Sequence, residues 1–216
     1  MSTPQAKSSP GYSISVDIPP GYHELPLSNI DEILSRAQPV VASVLSDDLR
    51  PEVPKVVGTL QFMLSKLASK NALYCGIGRH ASTDGHPVSS WLTISSLDYG
   101  QAENPRLVLH GLATAKLADS SWQVEFVEIG GRQVLVSESV QTYPAPDVAD
   151  LAEAGDAVPA YQLEALVPSG DGSAVAAIEF ATSNVDQGPE YLAMIFAMVA
   201  SLEFEKVLPM TSSLDL

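Results

Sequence analysis

Cys75 is the one cysteine in 216 residues, and it stands in the apolar run Leu73 to Ile77 with His80 and then His86 following. A cysteine nucleophile needs a base to take its proton, and either histidine is of the right type. The competing reading is a buried structural thiol, since the surrounding run is apolar and no cysteine-enzyme signature accompanies it. His80, Asp84 and His86 are metal-ligating types across one turn. Their spacing matches no zinc pattern, and Asp84-Gly85 is a stronger turn signal than ligand signal. Gly76-x-Gly78 lacks the third glycine and the helix start that a phosphate cradle requires. The chain contains no Gly-x-Ser-x-Gly elbow, Walker sequence or His-Glu-x-x-His. Catalysis therefore has only weak candidates in Cys75, His80 and His86, and the reading expects neither metal nor cofactor.

Carboxylates lie along several β-like runs, at Glu125, Glu128, Glu138, Glu164 and Glu179. Most fit a solvated sheet face. Glu179 is different, because it interrupts the apolar run Ala174 to Ala181. Such an acid needs a partner, with Arg79, Arg106 and Arg132 as candidates, or it marks a pocket.

The elements that must position these residues follow from periodicity. Ser13 to Ile18 alternates like a strand and ends at Pro19-Pro20-Gly21-Tyr22. Ser28, with Asp31 three residues on, opens a helix, and Pro39 is expected to kink or restart it. A further helix runs from about Pro51 to Asn71, with Val53, Val56, Val57, Leu60, Leu64 and Leu67 at helical spacing. Strands at Leu73 to Ile77 and Val88 to Leu97 flank the turn at Ser82 to Pro87. Pro105 to Lys116 reads as helix. Trp122 to Ile129 and Arg132 to Tyr143 form a hairpin about Gly130-Gly131. Residues 144–160 carry four acids and no base, which suits a solvated acidic loop. Tyr161 to Ser169 and Ala174 to Ala181 make a second hairpin around a Ser-Gly-Asp-Gly-Ser turn. Pro189 then starts an uncharged helix through Leu202, followed by a short terminal strand around Phe204. Consecutive hairpins with helices between them give an α+β fold, a mainly antiparallel sheet with helices packed on it. The organisation is a disordered lead over residues 1–13, one domain over 14–208, and a tail over 209–216.

The helix over residues 189–202 is apolar beyond a single core-facing stripe. Tyr191, Met194, Phe196 and Met198 are therefore expected to form an exposed partner-binding surface, for a homodimer or another protein. The helix is too short for the ~20 residues of a bilayer span. A net charge of −15 with scattered lysines and arginines disfavours nucleic acid. One cysteine and a polar first stretch suit a reducing, cytoplasmic setting.

From Trp122 onward, two hairpins, the strand end Glu179-Phe180-Ala181-Thr182 and a helix closing on Ser201 to Phe204 resemble the PsbP/Mog-like superfamily, including its actinobacterial LpqN-type lipoproteins. Pro19-Pro20-Gly21-Tyr22 is similar to the opening of many members. The runs Tyr74 to His80 and Tyr161 to Ser169 resemble uncharacterised actinobacterial proteins. The resemblance implies an α/β/α layered fold and a binding, assembly or chaperone-like role, some members serving secretion systems, without shared catalytic residues. The chain departs from the lipoprotein branch in lacking a signal and lipid cysteine, and its helical insertion at residues 28–71 is large. The function expected is a non-catalytic protein-interaction module. The alternatives are an enzyme using Cys75 with His80 or His86, and a small-molecule binder with a pocket between the helix at 51–71 and the sheet.

Overall fold

Hairpin signals in the sequence become the spine of the molecule. A computed structural model describes residues 11–44, 49–144 and 157–207. Residues 1–10 of the expected lead, 145–156 of the acidic loop and the whole tail at 209–216 lie outside the described residues. The order is β1 (Tyr12–Ser15), β2 (Tyr22–Glu24), α1 (Ile30–Val44), α2 (Val53–Ser69), β3 (Ala72–Ala81), β4 (Pro87–Asp98), α3 (Pro105–Leu117), β5 (Gln123–Ile129), β6 (Arg132–Pro144), β7 (Ala157–Pro168), β8 (Ala174–Thr182), α4 (Leu192–Ser201) and β9 (Glu203–Lys206).

Seven strands form one antiparallel sheet in the order β2-β3-β4-β8-β7-β6-β5. β1 and β9 pair separately as a two-stranded ribbon. Gly130 and Gly131 both take positive φ, 59° and 75°, as a two-residue primed turn between β5 and β6 requires. The turn between β7 and β8 is tied by Asp171, whose carboxylate accepts from the Ser173 N–H and from the Ser169 and Ser173 hydroxyls. Those donors hold its pKa well below the usual carboxylate range. Gly172 is needed there, because at φ 68° a Cβ would stand 2.1 Å from the Glu103 carbonyl.

Alternation along β6, β7 and β8 separates two faces. Val134, Leu163, Ile178 and Phe180 point to one side and pack on Ile195, Met198 and Val199 of α4. Leu135, Leu166, Val175 and Ala177 point to the other and pack on Val108, Leu109 and Ala113 of α3. α1 and α2 cover the β3–β4 end of that second face through Leu34, Leu64, Cys75 and Trp91. The fold is thus α+β, with a layer of helix on each side of the sheet. No helix among the described residues is long and apolar enough to cross a membrane.

Several boundaries differ from expectation. β1 begins at Tyr12, inside the expected lead, and β7 begins at Ala157, inside the expected acidic loop. α1 begins at Ile30 after Asn29 takes a left-handed φ of 51°. Pro39 does not restart it, since α1 runs unbroken through that position, and both Pro39 and Ser35, the residue whose carbonyl loses its amide donor, are exposed, so water can serve that carbonyl. The stretch Val185–Tyr191 is a 3-10 helix that includes Pro189, and α4 proper starts only at Leu192.

Candidate ligand-binding site

The cysteine–histidine pair suggested by the sequence is not assembled. Cys75 is fully buried beneath α2, and burial pushes its thiol up to about 12 despite a hydrogen bond with Thr93. His80, an odd number of residues along β3, faces the opposite side of the sheet. There its ring packs between Tyr22 and Tyr191, with centroids 4.8 and 5.6 Å away. Burial lowers its proton affinity. His86 is exposed beyond the far end of β3, roughly 20 Å from Cys75 at the rise of an extended strand. His80 and His86 therefore offer Cys75 no base. Nor do His80, Asp84 and His86 gather as metal ligands, and no such cluster occurs among the described residues.

The partner surface expected on α4 is corrected as well. Tyr191 and Met198 are core residues, and Tyr191 stacks on Phe180 at 4.8 Å. Met194 and Phe196 are half-buried against the same core. The positions α4 leaves to solvent are Ala193, Ala197 and Ala200. A helix apolar all round is here a buried helix with a small-residue back. Large exposed apolar side chains lie elsewhere, on Ile33, Val40 and Val41 of α1 and Val56, Phe62 and Met63 of α2.

Chemistry-bearing residues converge instead on the sheet face between α2 and α3. Strand register sets Thr93 of β4 opposite Glu179 of β8, Glu179 opposite Glu164 of β7, and Glu164 opposite Ser137 of β6. One rung across four strands is therefore polar in the middle of an apolar sheet. The flanking helices do not close over it. Two lobes of about 410 and 270 Å³ open above the rung and share Lys116, Trp122, Glu164 and Glu179. Small side chains on the floor, Ala177 and Ala181, leave this space, while Leu67 of α2 and Leu112 of α3 stand at its edges.

The two carboxylates are not equivalent. Glu164 accepts from Lys116 Nζ at 2.7 Å and from Ser137 Oγ at 3.2 Å, with the Lys116 and Glu164 side chains only 18% and 14% exposed. The same ammonium lies 3.5 Å from the Trp122 ring centroid, a cation–π contact that fixes both groups. Glu179 has no hydrogen-bond or ion-pair partner among the described residues. Water reaches its carboxylate, but the groove walls strip part of its hydration. That burial, then the Glu164 charge, raise its proton affinity, while Lys116 and Lys70 pull the other way. On the same face, Trp91 donates its indole N–H to Thr93 Oγ1 at 2.9 Å, which holds the ring beside the rung.

None of the arginines proposed to answer Glu179 does so. Arg132 instead donates to the Leu202 and Val199 carbonyls at 2.8 and 3.0 Å, capping the end of α4. The second part of the sequence expectation holds: Glu179 marks a pocket. Glu164, Lys116, Thr93 and Trp91 were not singled out as its companions, since only strand register and the packing of α3 reveal them. A larger cleft of about 510 Å³ opens at the start of α3, beside Arg106 and the turns at Gly131 and Gly170. Its Arg132 is committed to α4, and Asn104 already caps the Arg106 N–H. The groove over the rung is the better candidate, because there two carboxylates, an ammonium and both indoles converge.

No family model matches the chain, and no curated protein does. Among solved structures, the chain is similar to LpqN of Mycobacterium tuberculosis, described as involved in cell envelope biogenesis. The two share 11% identity over 91% of this chain and 86% of that chain, with a TM-score of 0.44, and no residue role is carried over.

Proposed function

We propose that this protein binds a small organic molecule in the groove between α2, α3 and the sheet, without catalysing its conversion. One observation carries the reading: the carboxylates Glu179 and Glu164, in register on adjacent strands, line two lobes that a pair of helices leaves uncovered. A sheet floor with a few convergent polar groups and apolar walls is the usual form of a ligand site. Lys116, held by both Glu164 and the Trp122 ring, acts as a fixed post dividing the lobes. The binding proteins of the superfamily resembled in sequence are consistent with such a role.

The test is a screen of small organic molecules against the full chain, read by thermal stabilisation. Binders stabilise by mass action, about 2.7 kcal/mol at a hundredfold excess over the dissociation constant. Hits should be lost in Ala181→Leu, which fills the floor of the smaller lobe, or in Ala177→Leu, which fills that of the larger. Hits that persist unchanged in both variants bind elsewhere and sink the reading.

A second reading has its own observation. The exposed apolar side chains of α1 and α2 move the protein-interaction role from α4 to the outer helix pair. It expects Phe62→Glu to abolish a contact that Phe196→Ala leaves intact, measured by light scattering of the protein alone for self-association. A monodisperse monomer at high concentration removes the self-association form.

A further inference from the structure

Resting on the groove as the ligand site, we infer that its ligand is an organic cation, an ammonium group carrying an apolar body, with Glu179 as the counter-ion. The charge inventory of the groove points this way. Its floor holds two carboxylates and one ammonium, and the ammonium is already engaged by Glu164 at 2.7 Å. Lys70 also acts on Glu179 from outside the lobe linings, and the Asp119 carboxylate lines the larger lobe, so this further pair adds no net charge. The floor is thus left with one carboxylate in excess, that of Glu179. An anionic ligand would face this charge and would have to take Lys116 from Glu164, leaving a half-buried carboxylate unpaired. A neutral ligand would leave Glu179 as it is. A cation answers Glu179 without disturbing the Lys116–Glu164–Trp122 assembly.

The walls supply the second half of the recognition. Trp91 pairs in register with Ala181, two residues along β8 from Glu179 and on the same face. Its ring is held by the Thr93 bond. An aromatic face beside an unpaired carboxylate is the pairing that recognises ammonium groups. Lys116 on Trp122 is an internal example in the same groove. For the apolar body the two lobes offer Leu67 on one side, and Leu97, Leu112 and Leu166 on the other.

The chain reports on this site directly, because it has two tryptophans and both line the groove. The experiment titrates the full chain with hexylammonium, hexanoate and 1-hexanol, which share one alkyl body and differ in charge, and follows tryptophan emission. The expected result is saturable binding of hexylammonium, at least about tenfold tighter than the alcohol or the acid. Glu179→Gln, with its fold verified by circular dichroism, should erase that preference and leave the weak binding of hexanol unchanged. Equal binding of hexanol and hexylammonium, or a preference for hexanoate, overturns the cation and leaves the groove standing as a site. No emission change with any of the three, alongside a screen without hits, overturns both.

Discussion

At Glu179 two opposing influences meet. The groove walls and the neighbouring Glu164 raise its proton affinity, and Lys116 and Lys70 lower it, with the raise prevailing. A carboxyl raised on folding holds its proton more tightly in the native state than in the unfolded chain. Between the ordinary glutamate value and the raised one, the native state binds more protons, so stability falls as pH rises through that window. Glu179→Gln removes the penalty. It should stabilise the protein at neutral pH, by no more than about 1 kcal/mol because water screens the site, and the gain should vanish below about pH 4. Urea unfolding of both proteins at the two pH values measures this, and a loss of stability at neutral pH would show that Glu179 has an unseen partner. Cys75 gives the opposite kind of prediction. Fully buried and pushed up to about 12, it should react with iodoacetamide only as fast as the helix pair that covers it opens. Rapid labelling of the native protein at pH 8 would restore the nucleophile that the structure removes. Both residues were conspicuous in the sequence, one as the lone cysteine and one as the lone acid of an apolar strand. What each one faces was not legible, because their neighbours are supplied by strand register from segments far along the chain.

Elements show the same division between local and tertiary information. The hairpin of β5 and β6 and the helix α3 fall close to where alternation, paired glycines and the 105–116 pattern put them, because local chemistry suffices to specify them. α4 misled as a surface because a girth of apolar residues does not distinguish a helix shared with a partner from one sunk into its own sheet. Arg132 bears on that distinction. Sitting just after the Gly130-Gly131 turn, it reaches the last carbonyls of α4 at 2.8 and 3.0 Å and so locks the helix to the β5–β6 hairpin. Its positive charge also lies at the negative end of the helix. Arg132→Met keeps much of the apolar stem and loses both bonds. It should cost about 2 kcal/mol in urea unfolding, with the slope of the transition unchanged. A variant within about 0.5 kcal/mol of the parent would mean that water replaces the guanidinium at no loss.

Across the whole molecule, the helices are secured to the sheet unequally. α4 buries Ile195, Met198 and Val199 in the main cluster, which runs over β4, β6, β7 and β8 and takes in Ile14 and Val16 near the ribbon. On the other side α3 buries Val108, Leu109 and Ala113, whereas Leu34 is the only buried residue described in α1 and α2 contributes Val53 and Leu64. The groove wall at Leu67 therefore stands on the less anchored helix pair. Regions with few buried apolar contacts open at free energies below that of global unfolding. Amide exchange of α1 and α2 should accordingly be at least about a hundredfold faster than that of β7 and β8. Leu64 is fully buried against Cys75 and Leu34, and so joins the helix pair to the sheet. Leu64→Ala should lower the opening free energy of α1 and α2 by about 2–5 kcal/mol, or to the floor set by their own stability. Protection in β7 and β8 would fall by less, because their amides remain shielded when the helix pair lifts away. Equal loss in all four elements would instead show that the helices and the sheet unfold as one unit, and that the groove is held at a fixed width.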